Sequence, residues 1–459
     1  MHRYNLTFLV LLLFLLACDL NIRPEPPEPV VPPNEAPRAV FNAAPESGNA
    51  PLEVAFDASG SSDPDGDALS YAWTFGDGET GDGVRVTHTY SAAGDYQVTL
   101  TVSDGEKDDT QTINVTASEG ETEPEPEPVF TDLTWERVAP QEYKVAEAQG
   151  EVVDGKLYVF GGFDILEVRE GNFTPTARAY VYDPGANTWT SLADMPPMNG
   201  TPYGGVTHAG TATDGEDVFF AGGYTSDEDG DFQIFGTPEA WRYDVSEDSY
   251  SRLPDLPQTD ESGPNNRHSA GQMEYLNGKL HYFGGTSANR QSDVTYHFTF
   301  DLANGATAWT RAAPLPASRN HLGSAVLNGK IYAIGGQTDH DGALTTYADV
   351  YAYDPAADAW SAARNLPKAI SHISNSSFAL DGRIIVVGGE VDHLDAVRDV
   401  FAYSPETDEW TSLTDLPVAL QSMVSGAIDG IIYVTSGSGG NGGDVSGFRS
   451  ETYRGVPQN

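Results

Sequence analysis

Six polar residues precede successive apolar segments at intervals of about 50 to 65 residues, and two histidines lie beside them. Arginine can bind a carboxylate through paired hydrogen bonds, and histidine can act as an acid or a base near neutral pH. If these residues surround one pocket, they could bind an anionic ligand such as a sugar acid. The alternative is that the arginines hydrogen-bond to backbone carbonyls of neighbouring repeats. The eight candidate ligand-binding residues are Lys144, Tyr203, Arg267, His268, Arg319, His321, His372 and Gln421.

Other clusters have the composition of metal sites. Asp63, Asp65 and Asp67 bring three carboxylates together, which could hold Ca²⁺, although Asp and Gly are also the residues that tight turns require. We favour the turn for this cluster. Asp339-His340-Asp341 and Asp392-His393 follow two double glycines at matching distances and could be either metal ligands or solvated loop residues. We expect no cofactor other than this possible Ca²⁺.

A sequence repeat indicates which strands and turns position these residues. Five apolar segments end in a Gly-Gly pair, and an aromatic residue follows each pair after 21 to 27 positions. A period of about 50 residues indicates a propeller or an array of repeats. The glycine pairs are Gly161-Gly162, Gly222-Gly223, Gly284-Gly285, Gly335-Gly336 and Gly388-Gly389, and the aromatic partners are Trp189, Tyr250, Trp309, Trp360 and Trp410.

A third element lies between each glycine pair and its aromatic partner. The double glycine, a Tyr-Asp pair and a later tryptophan together resemble the kelch repeat, with Tyr250 in place of a tryptophan and Ser404 in place of an aspartate. The resemblance implies propeller blades of four strands each. The middle elements are Tyr182-Asp183, Tyr243-Asp244, Phe300-Asp301, Tyr353-Asp354 and Tyr403-Ser404.

The two ends of the repeat region predict how the ring closes. Residues 423–453 supply only three strands of a sixth unit, in which the double glycine is reduced to Ser436-Gly437. The segment Leu133–Val138 contains Trp135, the aromatic residue that a fourth strand requires. We therefore predict a six-bladed kelch β-propeller over residues 131–459, closed by its N-terminal strand so that no blade edge stays unpaired.

Strand order sorts the loops of such a propeller onto two faces. The first-to-second and third-to-fourth connections are short Asp-Gly, Asn-Gly and Asp-Pro turns. The other connections are long and variable, and they lie on the opposite face together with the eight polar residues. Long loops on a rigid scaffold commonly carry binding sites, so we predict binding on the long-loop face.

Residues 36–117 have a different pattern, in which short strands of period two alternate with Gly-Asp turns. The segments Trp73–Gly78, His88–Tyr90 and Ala93–Leu100 resemble the PKD domain family. The resemblance implies an immunoglobulin-like β-sandwich that serves as a spacer or contact module. The chain is thus predicted to be all-β, with a Pro-rich tether over 18–35, the sandwich over 36–117, a Glu/Pro linker over 118–130 and the propeller after it.

The N-terminus predicts export. An apolar run after Arg3 ends at Cys18, the only cysteine of the chain, and is shorter than a membrane-spanning helix. Leu15-Leu16-Ala17-Cys18 resembles a bacterial lipobox. The resemblance implies that a signal peptide of residues 1–17 is removed, that Cys18 receives the lipid, and that the protein is anchored outside the cytoplasm, in the periplasm or at the cell surface. An uncleaved anchor or a plain secretory site is the alternative.

Charge and composition narrow the function. A net charge of −44 repels nucleic acids and anionic membrane surfaces. We therefore expect no nucleic-acid partner, and contact with the membrane only through the lipid anchor. Copper radical oxidases also use kelch propellers, but their thioether cofactor needs a cysteine near the site, and Cys18 is the only one. We favour a binding or scaffolding protein for a protein or carbohydrate ligand. The alternative is a sugar epimerase of the kelch type that acts on an anionic sugar such as sialic acid, for which no catalytic set can be assigned from the sequence.

Overall fold

The computed structural model of the protein describes residues 33–118, 130–164, 168–169, 172–259, 266–287, 290, 292–340, 342–392, 395–439 and 447–458. Cys18, the signal peptide, most of the tether and linker residues 119–129 lie outside the described residues. The chain divides into two compact units, Met1–Glu127 and Pro128–Asn459. Within the described part of the chain, no helix is both long and apolar enough to cross a membrane.

The first unit is a β-sandwich. Its strands have alternating burial, as in Leu52–Asp57, so that one face of each sheet packs inward. Trp73 is at the centre of the core, with its ring edge-on to Phe41 at a centroid distance of 4.8 Å. One sheet contains Asn42–Ala44, Leu52–Asp57 and Arg85–Tyr90; the other contains Ser47–Asn49, Asp108–Ser118, Gly94–Ser103, Ser70–Thr74 and Thr80–Asp82, in these spatial orders.

The described residues of the second unit form six antiparallel sheets of four strands, which are the blades of a propeller. The innermost strands of consecutive blades contact one another, and that of blade 6 contacts that of blade 1. The all-β prediction of a sandwich followed by a six-bladed propeller is therefore confirmed. From the inside outward the strands are Gln149–Val153, Lys156–Phe160, Ala179–Asp183 and Thr188–Ser191 in blade 1; Gly210–Thr213, Val218–Ala221, Ala240–Asp244 and Ser249–Leu253 in blade 2; Gln272–Leu276, Lys279–Phe283, His297–Asp301 and Thr310–Arg311 in blade 3; Gly323–Leu327, Lys330–Ile334, Val350–Asp354 and Ala359–Ala363 in blade 4; Ser377–Leu380, Arg383–Val387, Val400–Ser404 and Glu409–Ser412 in blade 5; and Val424–Ile428, Ile431–Thr435, Thr452–Gln458 and Asp132–Val138 in blade 6.

Short ladders extend the long loops above the blades. Each pairs two-residue strands that come before an inner strand or follow a double glycine. They are Val145–Ala146 with Phe163–Asp164, Val168–Arg169 with Asn172–Phe173, Thr225–Ser226 with Gln233–Ile234, His268–Ser269 with Thr286–Ser287 and Ser292–Asp293, and Gln337–Thr338 with Thr345–Thr346.

The double glycines join neighbouring blades. The second glycine of each pair donates its N–H to a carbonyl of the next blade, and Gly437 in the reduced sixth pair does the same. Gly335 is the first glycine of the blade 4 pair, and a Cβ on it would lie 2.4 Å from the carbonyl oxygen of Ile370. Only glycine allows the two blades to approach this closely. The bonds run from Gly162 to Val206 (3.0 Å), Gly223 to His268 (2.9 Å), Gly285 to Arg319 (2.8 Å), Gly336 to Ile370 (2.9 Å), Gly389 to Leu420 (2.9 Å) and Gly437 to Val145 (2.9 Å).

The aromatic residue of each outer strand forms a second inter-blade contact on the opposite face. Its side chain donates a hydrogen bond to a backbone carbonyl that follows the outer strand of the preceding blade. Tyr250 fulfils the same role through its hydroxyl, so the substitution for tryptophan keeps the bond. The pairs are Trp189 with Ala139, Tyr250 with Ala193, Trp309 with Pro254, Trp360 with Ala313, Trp410 with Arg364 and Trp135 with Thr414.

The N-terminal strand closes the ring, as the sequence predicted. Asp132–Val138 pairs antiparallel with Thr452–Gln458 over its full length. Arg454 and Glu136 form an ion pair across this joint at 2.6 Å, and Trp135 donates to Thr414 of blade 5 at 3.1 Å. Blade 6 is thus built from both ends of the propeller segment.

Candidate functional site: an axial pocket on the long-loop face

Six residues surround the propeller axis on the long-loop face, one from each blade. Each has a positive φ between 49° and 58°, so the chain turns sharply just before the inner strand. Backbone hydrogen bonds of 2.8 to 3.1 Å connect five of them in sequence from blade 2 to blade 6. The axial ring consists of Glu147, His208, Ala270, His321, His372 and Ser422.

A second row lies above the axial ring and consists of the residues that directly follow each glycine pair. Bridges such as Ser371 with Glu390 and Gln421 with Ser438 tie this row to the residues just before the axial ring. The repeat that joins the blades therefore also fixes the upper wall of the site. The second row consists of Phe163, Tyr224, Thr286, Gln337, Glu390 and Ser438.

Some residues of the two rows, together with residues of the longer loops, line a pocket of about 360 Å³ at the mouth of the channel. One wall is aromatic: the rings of Phe163 and Phe448 lie on either side of Phe173, at centroid distances of 5.6 and 5.9 Å. The remaining lining is mostly polar and is called the polar wall below. It is formed by Glu147, His208, Gln233, Arg290, His340, His372, Glu390, Gln421 and Ser438.

Buried charged groups cluster on the polar wall. Glu390, only 1% exposed, lies 2.8 Å from His372 Nδ1. Burial disfavours a charge on His372, but the Glu390 and Glu147 carboxylates outweigh it and raise the pKa of His372. Burial also raises the pKa of Glu147, whose carboxylate accepts a hydrogen bond from Ser422 at 2.7 Å.

Two other axial histidines are held neutral. Burial, reinforced by electrostatic repulsion from the neighbouring histidines His372 and His340, lowers the pKa of His208 and of His321 well below the ordinary histidine value. His208 Nδ1 lies 2.9 Å from the Thr207 hydroxyl, and its Nε2 lies 3.5 Å from Glu147. The ring of His321 lies between those of His208 and His372, at 5.0 and 4.1 Å. The pocket thus combines two imidazoles that are held neutral with two carboxyl groups and a close His372–Glu390 contact.

Three of the eight residues predicted from sequence come together here. His372 and Gln421 line the pocket, and His321 is in the axial ring at its base.

The other five predicted residues do not line the pocket. Arg319 is fully buried, donates to the Gly335 carbonyl at 3.0 Å and lies between Tyr347 and Tyr351. His268 is buried beside Tyr282, Tyr296 and Phe298, within 3.1 Å of the Pro257 carbonyl. Lys144 is exposed, Tyr203 is 38% exposed, and Arg267 is partly buried outside the pocket.

Glu147, His208, Glu390, Arg290 and the phenylalanines were not predicted from sequence. A usable signal was present, since the axial residue lies two positions before the inner strand in five of the six blades, and the second-row residue directly follows each glycine pair. Arg290 and Phe448 come from irregular loops, which carry no repeat signal.

The predicted metal clusters have different outcomes. Asp63, Asp65 and Asp67 place oxygens within 4.8 Å of one another. Asp63 Oδ1 accepts the backbone N–H groups of Asp65 (2.9 Å) and Asp67 (3.1 Å), which is the geometry of a turn. A Ca²⁺ ion there remains a prediction. His340 lies beside His321 and His372, whereas Asp341 and His393 lie outside the described residues.

Comparison with known proteins agrees with this architecture. Residues 34–117 match the PKD domain, residues 146–196 the kelch motif, and residues 208–440 the KLHDC2/KLHL20/DRC7 kelch-repeats domain. The chain therefore belongs to the kelch-repeat proteins and carries an N-terminal PKD domain. The kelch propeller fold supports a role as a binding scaffold.

Particular relatives differ in what they are named for. The chain is 28% identical over 263 residues to the kelch-like protein terF of Aspergillus terreus, a match covering 56% of this chain and 52% of terF. It thus spans about half the length of that relative. It is 24% identical to the N-acetylneuraminate epimerase of Pasteurella multocida, covering 52% of this chain and 72% of the epimerase. The solved structure of YjhT superimposes with a TM-score of 0.54 at 14% identity, over 70% of this chain and 99% of YjhT, which shows a shared fold.

Proposed function

We propose that this protein is an extracytoplasmic binding protein, attached to the membrane through a lipid on Cys18, which holds a small acidic sugar in the axial pocket. The observation that carries the proposal is the pocket's mixed lining, in which three phenylalanine rings adjoin a wall of hydrogen-bonding groups. A pocket with apolar walls and a few convergent polar groups is the usual form of a small-ligand site.

Each wall suits one part of a sugar acid. The faces of Phe163, Phe173 and Phe448 can pack against the C–H groups of a pyranose ring, while hydroxyl groups can bond to Gln421 and Glu390. Arg290 can pair with the sugar carboxylate, because a guanidinium matches a carboxylate in shape and charge. The volume of about 360 Å³ is near the lower end for ligand pockets, which favours a monosaccharide.

Binding can be tested by titrating the full chain with N-acetylneuraminate and with a panel of neutral and acidic monosaccharides. We expect acidic sugars to bind and neutral ones of the same size to bind at least about tenfold more weakly. Arg290→Gln should remove this difference. The matched control is Arg364→Gln on the tight-turn face, where Arg364 accompanies Asp408 at the surface. Equal binding of neutral and acidic sugars by the unaltered chain would contradict the proposal, as would no loss in Arg290→Gln.

A second candidate function is sugar epimerisation. It is favoured by the His372–Glu390 contact and by Glu147 in the same pocket, since opening and closing a sugar ring needs both a proton donor and a proton acceptor. The similarity to the Pasteurella epimerase also supports it. Following the anomers of N-acetylneuraminate by NMR distinguishes the two functions: an enzyme accelerates their exchange, and Glu390→Gln abolishes the acceleration, whereas a binding protein leaves the exchange rate unchanged.

A further inference from the structure

We propose that His321, His340 and His372 form a binding site for a divalent transition-metal ion such as Zn²⁺ at the base of the axial pocket. Their ligand nitrogens all lie within 4.8 Å of one another. His321 and His372 are the axial residues of blades 4 and 5, and His340 comes from the loop after the Gly335-Gly336 pair. This proposal goes beyond the proposed sugar binding and does not depend on it.

The hydrogen bonds of His321 leave one of its ring nitrogens without a proton. The Asn320 side-chain NH₂ donates to Asp293, so its carbonyl oxygen must face His321 Nδ1. Since that oxygen can only accept, the imidazole proton is on Nδ1 and Nε2 carries the lone pair. His321 is 2% exposed, and its Nε2 has no hydrogen-bond partner among the described residues.

An unpartnered nitrogen at this depth needs an explanation, because buried polar atoms are almost always hydrogen-bonded. A metal ion supplies one. His372 is arranged in the same way: its Nδ1 faces the Glu390 carboxylate at 2.8 Å, which leaves Nε2 as the available donor. Histidines that bind metals usually donate their other N–H to a carboxylate or carbonyl oxygen, which fixes the orientation of the ring. At His321 the outer contact is the Asn320 side-chain oxygen, and at His372 the Glu390 carboxylate lies within ion-pair distance of Nδ1.

The donor set selects the class of metal. Three imidazole nitrogens suit Zn²⁺, Cu²⁺, Ni²⁺ or Co²⁺, whereas Ca²⁺ and Mg²⁺ prefer oxygen ligands. Zn²⁺ with bonds of about 2.0–2.1 Å holds its nitrogens about 3.3 Å apart, so the nitrogens, which lie within 4.8 Å of one another, must approach by at most about 1.5 Å. His340 is partly exposed on a loop and can move to achieve this. The fourth position would be open to water or to another ligand.

The neighbouring His208 is not part of the site. Both of its ring nitrogens have partners, Thr207 and Glu147, so neither is oriented toward the other three histidines. The proposed ligand set is therefore three histidines with one open position, an arrangement that also occurs in catalytic zinc sites.

The test is a calorimetric titration of the metal-stripped full chain with Zn²⁺. Excess Mg²⁺ is included to occupy surface carboxylates, which a chain of net charge −44 offers in number. We expect one equivalent of Zn²⁺ to bind with sub-micromolar affinity, and Co²⁺ to give the visible absorption of a nitrogen-ligated ion. Absence of stoichiometric Zn²⁺ binding under these conditions would overturn the proposal.

Variants locate the site. His340→Ala should weaken Zn²⁺ binding at least about 100-fold and change the Co²⁺ spectrum, and Glu390→Ala should weaken it about 10- to 100-fold. His340 is the decisive position because its side chain is on a loop and its removal leaves no cavity in the core. His88→Ala, which removes an imidazole from the sandwich unit, is the control and should change nothing. Unchanged affinity in His340→Ala would refute the site.

Failure of this proposal can be told apart from failure of the proposed function. Zn²⁺ binding that depends on His340, together with no sugar binding, supports the metal site and contradicts the sugar ligand. Sugar binding by a chain that takes up no Zn²⁺ gives the opposite result.

Discussion

The double glycine of blade 4 allows the role of the repeat to be tested with a matched pair of variants. Gly335 and Gly329 belong to the same blade, and both have a positive φ, 55° and 70°. A Cβ at Gly335 would lie 2.4 Å from the Ile370 carbonyl oxygen, whereas a Cβ at Gly329 would meet no atom within 4 Å. Replacing each with alanine therefore applies a similar backbone strain but adds a clash at only one position.

The expected magnitudes follow from these contacts. Left-handed backbone geometry costs an alanine about 1–2 kcal/mol at either position. At Gly335 the added methyl group must also displace the Ile370 carbonyl, which accepts the Gly336 N–H at 2.9 Å. Loss of that buried hydrogen bond costs about 1–3 kcal/mol more. Gly335→Ala should thus lower the free energy of unfolding by about 2–5 kcal/mol, and Gly329→Ala by about 1–2 kcal/mol.

The assay is equilibrium denaturation in urea, followed by tryptophan fluorescence of the propeller. We expect the midpoint of Gly335→Ala to lie well below that of Gly329→Ala, with similar slopes. Equal destabilisation by the two substitutions, to within about 0.5 kcal/mol, would show that the close approach of the blades contributes nothing beyond backbone strain. In that case the explanation given for the repeat would be refuted.

Two further predictions concern ring closure and the channel. Deleting residues 131–138 removes the outer strand of blade 6 and should abolish cooperative melting of the propeller, whereas deleting the equally long linker segment 119–126 should not; equal melting of the two would contradict closure by this strand. Burial raises the pKa of Glu151 in the channel to about 8 and that of Glu274 to about 7. The folded state therefore binds these two protons more tightly than the unfolded state does. Its stability should fall as the pH rises from about 4.5 to about 8. Glu151→Gln should reduce the loss of unfolding free energy between pH 5 and pH 8 by on the order of 2 kcal/mol. The control Glu409→Gln, at an exposed position, should leave that loss unchanged. An identical pH dependence in both variants would show that the pKa of Glu151 is not raised.

The sequence predicted the fold closely because the propeller repeats its contacts. Each double glycine and each outer-strand aromatic residue forms the same inter-blade bond, so the pattern is visible along the chain. Trp135 could be assigned to blade 6 because it supplies the aromatic residue which that blade lacked. Even the reduced pair Ser436-Gly437 keeps the glycine N–H that donates to Val145.

The site was predicted less well for physical reasons. The sharp turns at Glu147 and His208 place their side chains at the axis, and a positive φ in a residue other than glycine leaves little trace in a sequence. Arg319 has the chemistry of an anion-binding residue, but two tyrosines and the Gly335 carbonyl enclose it. Glu390 was not predicted because its partner His372 lies 18 residues before it in the sequence. The two residues come together through the β-bridge between Ser371 and Glu390.

The central claim is that the axial pocket on the long-loop face binds the ligand. Hydrogen–deuterium exchange of the full chain, with and without saturating N-acetylneuraminate, tests it most directly. If the ligand binds in the axial pocket, exchange should slow at the axial ring and the second row, around His208, His372 and Glu390, with no change at the tight turns such as Asn328-Gly329. Protection at those turns, or no protection at the axial ring, would contradict it.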